Sequence, residues 1–320
     1  MHKPMRRSAR NIVATLGLLA LSGCNAVVFN PSGDIAIRQR DEIIIATVLM
    51  LIIILPVMGL TIYFAWRYRE SNKDADYDPD WHHSTSLELV IWAAPLLIII
   101  FLGAVTWTGT HLLDPYRPLD RIDAARPGPP SEAPIDVQVV ALDWKWLFIY
   151  PQYGVASLNE MAAPVDRPIR FSITAQNVMN SFFVPAIAGQ IYAMPGMQTT
   201  LYAVANKRGD YQGFSANLSG LGFSGMTFTF HATSPADFDK WIAKARAGKT
   251  HLTRAEYLKL EAPSEAVPVT YFGAAEDGLF TAVVNRCVRP GQTCIRTMMT
   301  RQGTGDGATQ KTKQETGTGN

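Results

Sequence analysis

The sequence predicts a two-helix transmembrane hairpin, then an all-β sandwich of about 100 residues, then a small C-terminal helical appendage. Three observations support this fold class. Two apolar runs cover residues 43–63 and 87–107, short alternating segments follow between residues 135 and 232, and helical spacing appears after residue 234. This uneven distribution of apolar residues is typical of a membrane protein with one water-exposed domain.

Charge and cysteine content limit the possible function classes. The 320-residue chain has a formal net charge of +2, with its basic residues scattered along the sequence. A charge this small excludes nucleic acid as a partner class. The three cysteines are too few for a disulfide scaffold, and their arrangement does not fit a zinc ribbon.

The chain begins with a targeting segment. Basic residues precede an apolar run over residues 12–21, and the small residues Ser22 and Gly23 precede Cys24. This pattern resembles a bacterial lipobox, in which Cys24 becomes the lipidated first residue of the mature chain. The alternatives are a plain secretory signal with an incidental cysteine, or an uncleaved helix. A lipid on Cys24 would lie in the outer leaflet of the inner membrane.

The two apolar runs predict a membrane hairpin. Residues 43–63 number about 21, enough at about 1.5 Å per residue to cross a hydrocarbon core of about 30 Å. The hydrophilic linker 67–86 separates them from the second run, 87–107. The lipid anchor sets the orientation, with the linker in the cytoplasm and everything after about Leu113 in the periplasm.

Glu88 lies in the first turn of the second predicted span. Two interpretations apply from its position alone. A carboxylate is favourable at the positive end of a helix dipole near the membrane surface. An ionisable residue that enters a membrane segment can also belong to a proton path.

Alternating apolar residues predict the strands of the sandwich. The alternation covers residues 135–141, 169–175, 199–204 and 226–232, and residues 146–150 are aromatic and apolar. Proline and glycine turns separate these segments, at the spacing expected of an antiparallel sandwich or barrel.

The pattern after residue 234 predicts the appendage. Pro235 is suited to a helix start, a second helical segment covers residues 255–260, residues 267–272 fit a strand, and residues 279–288 fit a helix or a strand. Residues 300–320 are of low complexity and are expected to be disordered.

The predicted organisation has nine parts. These are a signal peptide (1–23), a periplasmic N-terminal segment (24–42), a first transmembrane helix (43–65), a cytoplasmic loop (66–86), a second transmembrane helix (87–110), a linker (111–134), the β domain (135–234), the appendage with helices (235–299) and the tail (300–320).

Cys287 and Cys294 form a candidate disulfide. The Pro290-Gly291 pair between them can form a tight turn that brings the two sulfurs together. The periplasm permits oxidation, so we expect a disulfide, with free thiols as the alternative.

Several sequence segments together carry a resemblance to a known family. They are the lipobox, HSTSLELVIWAAP in the hairpin, DWKWLFIYP at residues 143–151, NSFFVPAIAGQIYAMPGM, and GFSANLSGLGFSGM at residues 213–226. The chain resembles subunit II of the bacterial haem-copper terminal oxidases from the lipobox to about residue 286. Within that superfamily it is most similar to subunit II of the cytochrome bo type ubiquinol oxidase, whose cupredoxin domain carries no copper. The resemblance therefore implies a cupredoxin-like sandwich.

In the cytochrome c oxidases of this superfamily, the loop and one upstream residue bind a dinuclear copper centre, CuA. The resemblance places other residues at these positions. The former copper positions are Asn180 for the first histidine, Ser215 and Ser219 for the two cysteines, Asn217 between them, and Phe223 for the second histidine, with Met226 retained. Hydroxyl groups and a phenyl ring are poor copper ligands, and one thioether cannot hold the metal. We therefore expect no metal, cofactor or catalytic residue in this chain.

Other residues near this loop have plain structural interpretations. Trp144 and Trp146 resemble the aromatic pair beside the electron acceptor of relatives, but without copper they are expected to serve packing. The histidines His82, His83, His111 and His231 are too dispersed for a metal site.

The resemblance also implies an activity and a set of partners. The chain is expected to be a non-catalytic subunit II of a proton-pumping oxidase that converts ubiquinol and oxygen to ubiquinone and water, supporting and capping subunit I. Subunit I would hold the haems and copper, receive the ubiquinol and bind smaller membrane subunits. In relatives a glutamate at the position of Glu88 lies near a proton-uptake channel, which favours that role for Glu88.

The expected location is the bacterial inner membrane, with two spans, a lipid anchor and a periplasmic C-terminal domain. Two alternative functions remain. The first is a CuA-containing cytochrome c oxidase subunit, which the missing ligands disfavour. The second is a stand-alone membrane lipoprotein that acts as a binding or assembly module, for which the hairpin is more than tethering requires.

Overall fold

The computed structural model of the chain describes residues 26–76 and 78–300. The predicted signal peptide, Cys24 and the tail from residue 301 onward lie outside the described residues. Within them, two long helices come first, and a β domain with three further helices follows.

Helix α1 spans Asp34–Arg67 and helix α2 spans Thr85–Leu112. Both are long and apolar enough to cross a membrane. Their large apolar side chains are mostly exposed in the isolated chain, which is typical of helices surrounded by lipid or partner helices. Pro56 and Pro95 lie inside these helices without ending them, as membrane helices tolerate.

Helix α1 starts nine residues before the predicted span at residue 43, so it includes the second half of the polar segment that precedes that span. The physical reason lies in the packing of its first turn. Ser32 and Gly33 donate backbone hydrogen bonds of 2.7 and 3.0 Å to the carbonyl oxygen of Ala186 in the β domain. A Cβ on Gly33 would lie 2.5 Å from two carbonyl oxygens, so this close approach requires glycine.

A buried ion-pair network fixes the same junction. Asp34 is 2% exposed and contacts Arg38, one turn later, at 2.9 Å. Arg121, from the segment that leaves α2, also contacts Asp34 at 2.9 Å, and Arg38 reaches Asp120 at 2.7 Å. Ion pairs therefore join the start of α1 to the linker after α2.

Two sheets form the β domain, together with a two-stranded hairpin of β1 and β2. One sheet has seven strands in the order β10-β7-β3-β4-β5-β14-β13, and the other has five in the order β6-β12-β11-β8-β9. The strands are β1 Arg121–Asp123, β2 Arg126–Pro127, β3 Ile135–Leu142, β4 Lys145–Tyr150, β5 Val155–Leu158, β6 Glu160–Pro164, β7 Ile169–Ala175, β8 Asn180–Phe183, β9 Ile191–Ala193, β10 Thr199–Ala203, β11 Gly209–Ser215, β12 Thr227–Thr233, β13 Thr250–Leu252 and β14 Thr270–Ala275.

The sandwich is mixed, so the prediction of an antiparallel one was incomplete. β3 pairs in parallel with β7, and β12 pairs in parallel with β6. Both β3 and β7 alternate buried and part-buried residues near their starts and become continuously buried toward their ends. Strands covered on both faces are where parallel pairing is usual.

The core between the two sheets is aromatic. Trp146 is fully buried and meets Phe182 and Phe228 edge to face, with ring centroids 5.5 and 5.7 Å apart. Phe182 and Phe228 stack on each other at 5.3 Å. These rings come from β4, β8 and β12, so they join the seven-stranded sheet to the five-stranded one.

The appendage is not a separate unit. Its strand β14 pairs with β5 and extends the seven-stranded sheet. Helix α3 (Pro235–Arg246) begins at the N-cap Ser234, whose side chain accepts a hydrogen bond from Asp237. Helices α4 (Arg254–Leu260) and α5 (Leu279–Val284) contribute to a second core with residues of the outer face of that sheet.

Candidate functional site

The loop between β11 and β12 forms the candidate site, with strand β8 beside it. Ser215 ends β11 and pairs with Phe182 of β8, which brings Asn180 at the start of β8 next to it. Met226 comes immediately before β12, after a 3-10 turn over Phe223–Gly225. The sheet therefore gathers residues that are far apart in sequence.

Asn180 and Ser215 form a closed hydrogen-bonded pair. The Ser215 hydroxyl lies 3.0 Å from Asn180 Oδ1 and 3.2 Å from the Asn217 carbonyl oxygen, and its one hydrogen can be donated to either. Ser215 Oγ accepts from the backbone N–H of Ser181 at 3.3 Å. Both side chains are buried, at 1% and 3% exposure, so the pair satisfies itself without a metal.

Met226 packs into the core behind this pair. It is 1% exposed, and its carbonyl oxygen accepts a hydrogen bond of 3.4 Å from the Trp146 indole. Ser219 Oγ lies 4.0 Å from the Met226 sulfur, a weak contact. The Met226 side chain is therefore part of the hydrophobic core, with the Ser219 hydroxyl near its sulfur.

Asn217 reaches the Asn180–Ser215 pair through its backbone carbonyl oxygen and not through its side chain. Asn217 is half-buried on the loop, and its side-chain amide donates to the Met179 carbonyl oxygen at 3.1 Å. Phe223 is half-buried in the 3-10 turn and has no ligand atom in its side chain. Among residues 26–76 and 78–300, no group of three or more histidine, cysteine, aspartate or glutamate side chains could hold a metal ion.

Trp144 packs its side chain against the loop, a contact that the sequence did not reveal. Its backbone adopts φ +62°, a left-handed conformation that is strained for a bulky residue. Its indole donates a hydrogen bond of 3.1 Å to the Ser219 carbonyl oxygen. A Cβ on Gly222 would lie 2.5 Å from the indole ring, so this glycine leaves space for the tryptophan.

Glu88 lies where the sequence placed it, in the first turn of α2. It is half exposed, and its carboxylate contacts His83 Nδ1 at 2.8 Å. His83 Nε2 lies 3.1 Å from the Thr85 hydroxyl. The sequence indicated only that His83 is too far from the other histidines to form a metal site, and the five-residue separation of His83 and Glu88 across the helix start was the missed signal.

Cys287 and Cys294 are joined by a disulfide in the structure, with Cα atoms 4.8 Å apart. The enclosed loop turns at Gly291, which has φ +77°, and Gln292 donates a backbone hydrogen bond of 3.2 Å to the Arg289 carbonyl oxygen. Gly291 tolerates this conformation because it has no Cβ.

A charged cluster on strands β6, β11 and β12 of the five-stranded sheet was not predicted at all. Glu160 of β6 accepts hydrogen bonds from Trp241 at 2.7 Å and from the Tyr271 hydroxyl. His231 of β12 lies between Glu160, at 3.4 Å, and Asp210, at 2.6 Å. Burial alone would raise the pKa of Glu160, but the bonds from Tyr271 and Trp241 and the nearby His231 lower it below its usual value.

Two family models match the chain. The model described as cytochrome c oxidase subunit II, periplasmic domain, matches residues 152–233. The model described as the COX aromatic rich motif matches residues 246–291. Together they cover most of the β domain and the appendage.

Curated relatives match at greater length. The chain is 48% identical over 275 residues to cytochrome bo(3) ubiquinol oxidase subunit 2 of Pseudomonas putida, covering 86% of this chain and 85% of that one. It is 49% identical to the protein of the same name from Pseudomonas aeruginosa, covering 84% and 78%. It is 46% identical to ubiquinol oxidase subunit 2 of Acetobacter aceti, covering 85% and 87%.

Among solved structures, the periplasmic domain of subunit II of cytochrome oxidase from Bradyrhizobium japonicum matches with a TM-score of 0.34 and 25% identity. That match covers 35% of this chain and 94% of the other.

Proposed function

Because this chain belongs to the ubiquinol oxidase subunit 2 family, we propose that it supports a quinol oxidase complex without carrying electrons itself. It is a subunit of such a complex, and the chemistry of oxygen reduction belongs to its partners. The complex would oxidise ubiquinol to ubiquinone, reduce oxygen to water and move protons outward.

The observation that carries this proposal is the Asn180–Ser215 pair. A dinuclear copper centre needs thiolate and imidazole ligands, and these two side chains use their polar atoms on each other and on neighbouring backbone groups. Met226 offers the one soft ligand atom nearby, and it is buried. An electron from cytochrome c therefore has no metal acceptor in this loop, which favours a membrane quinol as the donor.

The partner is proposed to be the haem-bearing subunit I, with smaller membrane subunits beside it. The apolar side chains exposed on α1 and α2 provide the membrane surface for this association. The haems and copper would belong to subunit I. Cys24, outside the described residues, is the proposed site of the lipid anchor.

Two apolar helices and a domain that matches a periplasmic family model fit an inner-membrane protein with a periplasmic domain. We further propose that both helices span, that the loop between them is cytoplasmic, and that Glu88 receives protons there. The contact with His83 supports this role, because an imidazole and a carboxylate can exchange a proton over 2.8 Å.

The proposal is tested by purifying the complex through this chain. We expect haem to co-purify, ubiquinol to be oxidised, reduced cytochrome c to be left unchanged, and the visible and electron paramagnetic resonance spectra to lack a CuA signal. A CuA signal with cytochrome c oxidation would instead establish the copper-containing alternative. Isolation as a single haem-free chain would establish the stand-alone lipoprotein.

A further inference from the structure

A polar cleft of about 200 Å³ lies between helix α4, the end of α5 and the loop closed by the Cys287–Cys294 disulfide. It shares no residue with the former copper positions or with the two long helices. Its polar lining consists of Gln176, Tyr257, Glu261, Arg286, Arg289 and Gln292.

Two polar atoms at this cleft are buried without a partner. Tyr257 is fully buried, and its hydroxyl makes no hydrogen bond within residues 26–76 and 78–300. Gln176 Oε1 is likewise buried and unpaired in this part of the chain. A buried polar atom without a hydrogen-bond partner is energetically unfavourable, so each of these atoms gains from a ligand that completes its hydrogen bonding.

The cleft also has a positive charge that nothing in the described chain balances. Arg289 contacts Glu261 at 2.8 Å, so these two charges offset each other. Arg286, held at φ +52° beside the disulfide, forms neither an ion pair nor a side-chain hydrogen bond within the described residues. Summed over Glu261, Arg286 and Arg289, the lining has one excess positive charge.

We propose that this cleft binds phosphate, either free or as a phosphate monoester. The phosphate oxygens would accept hydrogen bonds from Arg286, Arg289 and the Tyr257 hydroxyl. A protonated phosphate oxygen would donate to Gln176 Oε1, which a fully deprotonated anion cannot do. Burial raises the pKa of Tyr257, so its hydroxyl keeps the proton that it donates.

The disulfide holds part of this site in place. Arg289 and Gln292 lie inside the loop that Cys287 and Cys294 close, and Arg286 directly precedes it. A loop with fixed ends loses less conformational freedom when it binds a ligand. The double substitution C287S/C294S is therefore expected to weaken phosphate binding while leaving the two arginines present.

The test uses the full-length chain in a phosphate-free detergent buffer, titrated calorimetrically with inorganic phosphate. Arg286→Gln is expected to weaken binding about tenfold or more, because it removes a charge-assisted hydrogen bond. Tyr257→Phe is expected to weaken binding while leaving thermal stability without phosphate equal or higher, because it removes an unpaired hydroxyl. Arg208→Gln, an exposed arginine away from the cleft, is the matched control and should bind as the unmodified chain does.

Sulfate and glycerol 3-phosphate complete the experiment. Sulfate has no proton to donate near neutral pH, so it should bind more weakly than phosphate; equal binding would overturn the assignment. Tighter binding of glycerol 3-phosphate than of inorganic phosphate would identify a monoester, such as a lipid headgroup, as the source. Absence of saturable phosphate binding would overturn the proposal. If Arg286→Gln and Tyr257→Phe bind phosphate as tightly as the unmodified chain does, phosphate binds outside the cleft and the proposal is likewise overturned.

Discussion

Asp34 and Glu88 are both acidic residues in the first turn of a long apolar helix, but they have opposite surroundings. Asp34 is buried between Arg38 and Arg121, whereas the Glu88 side chain is 51% exposed and contacts one histidine. The same sequence signal therefore marks a buried structural joint in one helix and an exposed carboxylate with one histidine partner in the other. Burial and the number of partners separate these two cases, and the sequence shows neither.

Asp34→Asn tests the buried member of this comparison and should have the largest effect on stability. The change leaves Arg38 and Arg121 facing a neutral side chain, and breaking a buried ion pair costs about 3 kcal/mol. Denaturant unfolding of the full-length chain in detergent would measure this loss. Asp41→Asn, in the exposed pair with Arg40, is the control and should change stability by less than about 1 kcal/mol. Equal losses in both variants would show that burial does not matter here.

Glu160 is a third acidic residue, and its side chain is 13% exposed. The pH dependence of its contribution to stability extends the comparison between Asp34 and Glu88. Glu160→Gln should cost about 2 kcal/mol near neutral pH, because charge-assisted hydrogen bonds from Tyr271 and Trp241 are weakened. The pKa of Glu160 is lower in the folded chain than its ordinary value of 4.5. The contribution of ionised Glu160 to the free energy of unfolding is therefore complete above the ordinary pKa. It disappears as the pH falls through the pKa that Glu160 has in the folded chain.

Thermal unfolding of both proteins between neutral and acidic pH would measure this effect. The difference between the unmodified chain and Glu160→Gln should shrink as the solution becomes more acidic. A difference that stays constant with pH would mean that the glutamate acts through its shape alone.

Ser215→Ala tests how much an uncharged side chain contributes to stability when its burial is similar to that of Asp34. The substitution leaves Asn180 Oδ1 and the Ser181 N–H without their partner, which should cost about 1–2 kcal/mol. Ser224→Ala, at an exposed position of the same loop, is the matched control. Equal stability of the two variants would contradict the conclusion that the Asn180–Ser215 pair stabilises this loop.

Glu88→Gln should have the smallest effect on stability and a distinct effect on turnover. An exposed pair contributes less than about 1 kcal/mol, so unfolding should barely change. If Glu88 receives protons, ubiquinol oxidation by the purified complex should slow severalfold without stopping, and its pH profile should shift. An unchanged rate and pH profile would leave Glu88 with the helix-dipole interpretation alone.

The sequence predicted the elements whose signal is periodic over a long stretch. The second apolar helix and the alternating strands β3, β7 and β12 have nearly the predicted bounds, whereas the first helix begins nine residues before its predicted span. Strands such as β5 (Val155–Leu158) and β8 (Asn180–Phe183) were missed because they are four residues long, too short to show alternation. The attachment of β14 to β5 was also missed, because strand partners more than 100 residues apart leave no local signal.

The candidate site was predicted as a set of residues but not as an arrangement. The family resemblance implied that Asn180, Ser215 and Met226 would lie close together. The sequence could not show that Ser215 forms a hydrogen bond with Asn180. Nor could it show that Trp144 adopts a left-handed backbone conformation and packs against the loop. Contacts between distant segments, such as His231 with Glu160 or Arg121 with Asp34, depend on the tertiary fold alone.

The early start of α1 has a mechanical consequence. Its 34 residues, at about 1.5 Å each, form a rod about 50 Å long whose outer end is bonded into the β domain at Ala186. A rotation of that domain by about 5° would displace the far end of a rigid rod by about 4 Å. The helix can thus act as a lever that transmits movements of the domain to the loop before α2, which contains His83, and to the adjoining first turn of α2, which contains Glu88.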